Sequence, residues 1–365
     1  MSLRKFQNLR NELNATILER EDEITIVLTA LLAGENVVFV GPPGTAKSML
    51  CDSIVQFLNG TRFSVILNKL SKQEEVFGPV NVAGLKNGVY ERVITNMLPV
   101  ADVAFLDEIF KASSAILNTT LKVLNEKVYD NGLSRVKCPL KLCMAASNEW
   151  PLEAKELGAL FDRFLFRKYV EPVKTKASIR RLMSDKNLTP VISDTIDAAE
   201  LEEDQLEARN IPISDETMDV LLNIRESLAA EKVFIGDRRL RKSMTALQCH
   251  AWLEGNSEVT TDDMGILSHI WWANPEQYTA INDKICEIAK PSGVIASQML
   301  GECNEILRNT KATDIGESAK ALKKISSILR DLKKLGDSPK VLAAIGRIQT
   351  AQNDFKRLAV ESVGT

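Results

Sequence analysis

Gly41-Pro42-Pro43-Gly44-Thr45-Ala46-Lys47-Ser48 follows the wholly apolar run Val37 to Val40 and precedes a helical stretch from Met49 to Leu58. A short run rich in β-branched residues, with no polar alternation, is the pattern of a strand covered on both faces in a parallel sheet. A glycine-rich turn between such a strand and a helix aims its backbone N–H groups inward and meets the positive end of the helix dipole, a combination that favours phosphate. On this reading Gly41 to Met49 bind a nucleotide, Lys47 reaches its β- and γ-phosphates, and Ser48 holds Mg2+ through its hydroxyl. Ala46 stands where the pattern G-x-x-x-x-G-K-S/T has its second glycine. Because that position leads into the helix, ordinary helical angles are predicted for it.

Comparable apolar runs recur at Phe63 to Leu67, Val103 to Leu106, Leu142 to Ala146 and Phe164 to Val170, with helical stretches such as Ala115 to Leu124 between them. Strands alternating with helices predict a doubly wound α/β sheet. Ahead of the first strand, Leu3, Phe6, Leu9, Leu13 and Ile17, then Ile24, Val27, Leu28, Leu31 and Leu32, recur at helical spacing, and Gly34 is placed to end the second helix. Asn87-Gly88 and Asn131-Gly132 favour the positive backbone angles of tight turns, so hairpins are predicted at both. After Pro172 the strand signal stops, and an acidic, irregular stretch through Leu201 to Gln205 leads into helices. Thr260 with Asp263 resembles a capping box. Two further helices flank Gly336-Asp337-Ser338-Pro339 and are expected to form an antiparallel hairpin. Three domains are therefore expected: residues 1–172, an α/β domain with N-terminal helices; 173–274, a small helical domain; and 275–365, a C-terminal helical domain.

The run Val103-Ala104-Phe105-Leu106-Asp107-Glu108 ends a buried strand in two carboxylates, at the edge where open α/β sheets bind ligands. Asp107 suits the magnesium shell, and Glu108 suits the orientation and polarisation of an attacking water. The whole chain has 365 residues and a net charge of −3, which gives no field of the kind that draws a protein onto nucleic acid or an anionic membrane. The row of Lys320, Lys323, Lys324, Lys333 and Lys334 reads as a solvated helix face. Six scattered cysteines without a C-x-x-C pair, and only His250 and His269 as further ligands, make a zinc site improbable. No apolar run is long enough to span a bilayer, so a cytosolic protein with reduced thiols is expected.

The order of phosphate loop, Asp-Glu strand and Ala145-Ala146-Ser147-Asn148 resembles an AAA+ ATPase. More narrowly, Glu74-Glu75-Val76-Phe77-Gly78-Pro79, Phe105-Leu106-Asp107-Glu108-Ile109-Phe110-Lys111-Ala112, Ile116-Leu117-Asn118-Thr119 and Leu160-Phe161-Asp162-Arg163-Phe164 resemble the MoxR group, in particular its RavA branch, in order from about residue 15 to residue 275. The resemblance implies an AAA+ core with a helical lid. It gives Asn148 the role of first sensor, contacting the attacking water or γ-phosphate. Arg163 becomes the arginine finger that reaches the neighbouring subunit's nucleotide, with Arg167 its competitor, and Arg239 the second-sensor contact. The two hairpins fall where the group carries elements that look onto a central pore.

What the resemblance implies for function is a homo-oligomer, a hexameric ring, that hydrolyses ATP with Mg2+ and acts as a chaperone-like remodelling or metal-insertion factor. Its implied partner is a protein with a von Willebrand factor A domain. The RavA branch also inserts a β-rich domain that contacts a lysine decarboxylase; residues 275–365 show no strand-rich segment to match it, so that partner is not carried over. Three other readings compete: a small-molecule phosphotransferase, which needs no arginine from a neighbour; a nucleic-acid motor, disfavoured by the acidic composition; and a nucleotide-switched scaffold, disfavoured by Glu108.

Overall fold

A computed structural model of the chain describes residues 2–150, 163–185, 187–310, 315–336 and 339–361. These fall into two compact units. The first is drawn from Met1–Ser214, Phe234–Val259 and His269–Tyr278, the second from Asp215–Val233, Thr260–Ser268 and Thr279–Thr365.

In the first unit α1 (Ser2–Thr16) and α2 (Glu21–Ala33) precede β1 (Val37–Val40). Acidic Glu21, Asp22 and Glu23 occupy the positive end of α2. Gly34 ends it as predicted, left-handed at φ 69°, with its N–H turned back to Ala30 and Leu31 carbonyls. There follow α3 (Lys47–Phe57), β2 (Arg62–Ile66), the short α4 (Gln73–Phe77) and α5 (Val82–Lys86), β3 (Val103–Asp107) and α6 (Ser114–Glu126). Next come β4 (Val128–Asn131), β5 (Ser134–Lys137), β6 (Leu142–Ser147), β7 (Phe166–Tyr169), α7 (Lys176–Ser184) and α8 (Ala198–Arg209). The second unit takes α9 (Asp215–Ala230), and α10 (Asp237–Glu254) returns to the first.

Five parallel strands form the sheet in the order β2-β3-β6-β1-β7. β1 lies in the middle of its own neighbours, Val37 pairing with Met144 of β6 on one side and Phe166 of β7 on the other. All four β1 residues and all six of β6 are buried, which is why these runs show no polar alternation. Phe6 of α1 meets Phe57 of α3 and Trp252 of α10 edge-on, with ring centroids 5.1 and 5.6 Å apart.

The two predicted hairpins come out differently. Asn131-Gly132 does turn a hairpin: Asn131 pairs with Ser134, leaving Gly132 (φ 64°) and Leu133 as the turn. Asn87-Gly88 instead closes the helical turn α5. Asn81 caps that turn by accepting from the Ala83 and Gly84 amides, and Val89 N–H returns to Gly84 O at 2.9 Å. Once Asn81 satisfies the first amides, the positive φ of Gly88 (75°) terminates a helix rather than reversing a strand pair. Backbone bonds from Asn81 to Glu91 and from Val93 to Pro79, both 2.8 Å, close the base of this loop. The stretch Leu201 to Gln205 is likewise not irregular but lies within α8, which opens on a capping box of Asp197 and Glu200. Leu160, Phe161 and Asp162, which carry part of the family resemblance, lie outside the described residues.

The second unit continues through a 3₁₀ segment, Thr261–His269, where Asp263 accepts from Thr260 N–H and Oγ1 as the sequence suggested. It ends in α11 (Gln277–Ala289), α12 (Ser292–Asn309), α13 (Ile315–Leu332) and α14 (Pro339–Glu361). Ala296, Cys303, Ile325, Leu332, Val341, Ala344 and Ile348 make one core, so α12 joins the two helices expected to pair. Asp337 and Ser338 of the predicted break lie outside the described residues.

Asp204 of α8 is 3% exposed, and its Oδ2 has no hydrogen-bond partner among the described residues. Burial pushes its carboxyl up to about 6, with a hydrogen bond from Ser2 working the other way. An unfolded aspartate ionises near 3.8, so the unfolded chain gives up this proton first and stability falls as pH rises from there through about 6. Asp204→Asn should flatten that slope and raise stability at neutral pH by roughly 1–3 kcal/mol, read from urea unfolding at several pH values.

Candidate nucleotide-binding site

The loop after β1 is held at both sides. Gly41 N–H donates to Ser147 O at the end of β6 (2.9 Å), and a Cβ on Gly41, at φ 153°, would lie 2.1 Å from Val170 O just past β7. Only glycine passes there. Gly44 is left-handed at φ 77° with open space around it. Ala46, expected to be helical, is also left-handed, with φ 64° and ψ 16°, and α3 starts at Lys47. Residue 46 thus belongs to the turn and not to the helix, against the helical angles expected of it, which explains why the general pattern has glycine there. A Cβ in this region costs roughly 1–2 kcal/mol.

The Lys47 ammonium, half-buried, donates to Gly41 O (2.9 Å), Pro42 O (3.0 Å) and Thr45 Oγ1 (3.2 Å). Burial moves its pKa below the ordinary lysine value; Asp107 and Glu108 oppose the shift and Arg20 adds to it. Three neutral oxygens therefore hold a cation that phosphate oxygens would hold more strongly. Ser48 is exposed and Met49 half-buried in the first turn of α3.

Asp107 ends β3, and its Oδ1 accepts the Glu108 N–H at 2.9 Å. Glu108 is buried and left-handed at φ 53°, a strained conformation of the kind that concentrates at functional sites. Its carboxylate accepts from the Asn148 side-chain amide and pairs with Lys111 Nζ at 3.3 Å. Sheet order explains the meeting: β3 and β6 are neighbours, so the residue after each strand emerges on the same edge. The fold thus brings Glu108 and Asn148 together and sets both carboxylates close enough to act on Lys47. A Ser48 hydroxyl and an Asp107 carboxylate are hard oxygen donors of the kind Mg2+ takes alongside substrate phosphates.

The arginines separate clearly. Arg167 is fully buried, donating from Nε to Phe164 O at 3.1 Å and from Nη1 to Trp272 O. A side chain so enclosed does not reach another chain, which leaves Arg163, half-buried, as the finger candidate. Arg239 donates to the same Trp272 carbonyl at 3.4 Å. Two features escaped the sequence reading. Arg20 donates to carbonyls of Glu19, Thr45 and Glu171, partners too distant in sequence to suggest one another. Phe110, Trp150, Trp272, Tyr278 and His269 form a row of rings with successive centroids 6.4, 5.0, 6.5 and 5.8 Å apart; the aromatics were visible, their adjacency was not.

Residues 4–208 match the model of the MoxR domain in the MoxR-vWA-beta-propeller ternary systems, more than half of the chain. The chain belongs to the MoxR family of AAA+ ATPases. Residues 216–285 match the AAA lid domain. Two uncharacterized proteins of Methanocaldococcus jannaschii resemble this MoxR chain over most of its length. MJ0079 is 37% identical over 336 residues, 90% of this chain and 86% of the relative. MJ0812 is 36% identical over 363 residues, 98% and 92%. A crystal structure of a Cytophaga hutchinsonii protein assigned as an ATPase superposes with a TM-score of 0.62 at 16% identity, covering 78% of this chain and 94% of that one; at that identity it supports the fold alone.

Replacing Ala46 by glycine removes the left-handed strain while restoring the general pattern. Ala46→Gly should raise stability by roughly 0.5–1 kcal/mol in urea unfolding, the gain being reduced by glycine's greater unfolded-state entropy. A loss of stability would mean that residue 46 is not left-handed in solution.

Proposed function

We propose that this MoxR-family chain hydrolyses ATP to ADP and phosphate, with Mg2+, and does so as a homo-oligomeric ring of six that remodels a protein partner. The reading is carried by one observation: the buried Glu108 carboxylate, held by Asn148, stands at the same sheet edge as the lysine-bearing loop. Lys47 would leave its loop oxygens for the β- and γ-phosphates, and the loop amides would take the remaining oxygens. Ser48 and Asp107 would hold Mg2+, which supplies charge neutralisation between the phosphates. Glu108 would take the proton of the attacking water, with Asn148 fixing which way that carboxylate faces. Arg163 would complete the site of the neighbouring subunit, and Arg239 would join from within the same subunit on leaving Trp272.

The β4–β5 hairpin and the 79–93 loop would carry the work to a client. Asn131 clasps Arg92 from both sides, accepting its N–H at 2.7 Å and donating to its carbonyl at 3.0 Å. Gly132 fits under Tyr90 O, where a Cβ would lie 1.9 Å away. Val82, Leu85, Tyr90 and Leu133 are all more than half exposed on these two elements, an apolar surface suited to gripping protein rather than nucleic acid. A von Willebrand factor A domain protein is the partner we propose, since the matching family model describes systems that pair the two. Membership of the RavA branch rests on the residue resemblance, and metal insertion and chaperone-like remodelling remain alternative outcomes of the same motor. Among the described residues no helix is long and apolar enough to cross a membrane, and a cytosolic site of action is part of the proposal.

Turnover of purified protein with ATP and Mg2+ tests the reading. Lys47→Ala should abolish nucleotide retention. Glu108→Gln should keep it while lowering turnover about 10²–10⁴-fold; wild-type turnover in that variant would remove Glu108 as the base. Arg163→Ala should lower turnover about 10³–10⁵-fold and poison mixtures with wild type more than in proportion to its share. Strict proportionality, or a monomeric mass with ATP bound, would sink the ring.

A further inference from the structure

Arg20 opens α2 with only 6% of its surface exposed, and its acceptors are three backbone carbonyls from three stretches of chain. Nε donates to Thr45 O in the phosphate loop (3.3 Å), Nη1 to Glu19 O (2.6 Å), and Nη2 to Glu171 O just past β7 (2.6 Å). A planar fork with fixed donor directions can span three such oxygens; an ammonium is a point charge without that geometry. The buried Glu23 carboxylate lies within electrostatic reach of Arg20, and so does the Lys47 ammonium. A buried opposite charge is weak evidence for stability because both ions give up water, so stability alone is a weak reason for an arginine here.

The bond to Thr45 fixes more than one oxygen. The chain has no cis peptide bond among its described residues, so the Thr45 carbonyl and the Ala46 N–H point opposite ways in one rigid plane. Holding the carbonyl toward Arg20 turns the Ala46 N–H away from it. Ala46 is also the residue whose left-handed backbone needs holding. Next door, the Glu19 carboxylate accepts the N–H groups of Lys174 (2.7 Å) and Thr175 (3.0 Å). The Glu19-Arg20 pair therefore ties the phosphate loop to the segment by which the chain leaves the sheet.

We propose that Arg20 is a positioning residue of the nucleotide site: it sets the Thr45–Ala46 peptide plane so that the Ala46 N–H faces the phosphates, and links that plane to residues 171–175. The proposal rests on the loop being a nucleotide cradle. It makes phosphate binding and the set of the 171–175 segment two readouts of one guanidinium.

Arg20→Lys keeps the charge and loses the fork; Arg20→Gln loses the charge. Binding of ADP and of adenosine is measured for each, with amide exchange at residues 44–47 and 171–175 without nucleotide. Arg20→Lys should weaken ADP about tenfold or more, leave adenosine unchanged, and speed exchange in both segments together. Wild-type ADP affinity with unchanged exchange would overturn the proposal, and so would equal losses for ADP and adenosine, the mark of a merely structural residue. Should the variants not fold, wild type alone decides: ADP should slow exchange at 44–47 and 171–175 together, and protection confined to the loop counts against the link. If wild type binds no adenine nucleotide, the ATPase reading falls, and the exchange of Arg20→Lys still shows whether the clamp exists.

Discussion

A cradle made of backbone N–H groups requires the chain to turn through angles that side chains resist, and the first unit is arranged around that constraint. Gly41, Gly44 and Ala46 all have positive φ within six residues. Such a turn keeps its shape only if its surroundings hold it. β1 lies between β6 and β7, so its loop emerges between two strand ends, anchored by Ser147 O on one side and crowded by Val170 O on the other. The same strand order puts β6 between β3 and β1, which sets Asn148 beside Glu108 and brings Glu108 and Asp107 within electrostatic reach of Lys47. Sheet topology, more than any single contact, assembles the site.

The strands, though not their order, were legible in the sequence: β1 and β6 are buried throughout and leave apolar runs, while β2 and the Arg167-Lys168 pair of β7 carry a weaker form of the same signal. All five lie where those runs predicted, within about two residues. The phosphate loop and the Asp107-Glu108 pair were legible because their chemistry is local: each is a contiguous stretch at the end of a strand. What failed was local in a different way. Asn87-Gly88 reads like Asn131-Gly132, but the cap at Asn81, six residues upstream, had already committed the chain to a helical turn. The left-handed Ala46 was missed because whether the residue before α3 is turn or helix depends on tertiary restraints. Arg20 was out of reach because its partners at Thr45 and Glu171 lie 25 and 151 residues away.

α6 links the neighbourhood of Glu108 to the β4–β5 hairpin. Lys111, three residues on, pairs with the Glu108 carboxylate, and α6 begins at Ser114. Lys122 on α6 pairs with Asp130 on the hairpin, but both are substantially exposed, so this ion pair contributes little by itself. The stronger ties are packed and directional: Phe77 stacked on Tyr129 at 5.3 Å, and Asn131 bonded to both backbone groups of Arg92. Breaking the clasp would leave two part-buried backbone groups unsatisfied, a penalty of roughly 1–3 kcal/mol each. These contacts tie the hairpin to the 79–93 loop.

The Trp272 carbonyl is a junction of another kind, shared by two guanidinium groups. It accepts from Arg167, which is fully enclosed, and from Arg239 at 3.4 Å, long for a hydrogen bond. If the Arg239 contact were lost, the carbonyl would stay satisfied by Arg167. In the proposed second-sensor role a γ-phosphate would offer the Arg239 guanidinium a charged acceptor, and charge-assisted bonds are roughly twice as strong. The same Trp272 ring lies 5.0 Å from Trp150, two residues beyond Asn148. Trp272 therefore touches the segment that carries Asn148 through its ring and Arg239 through its carbonyl, so one residue borders both.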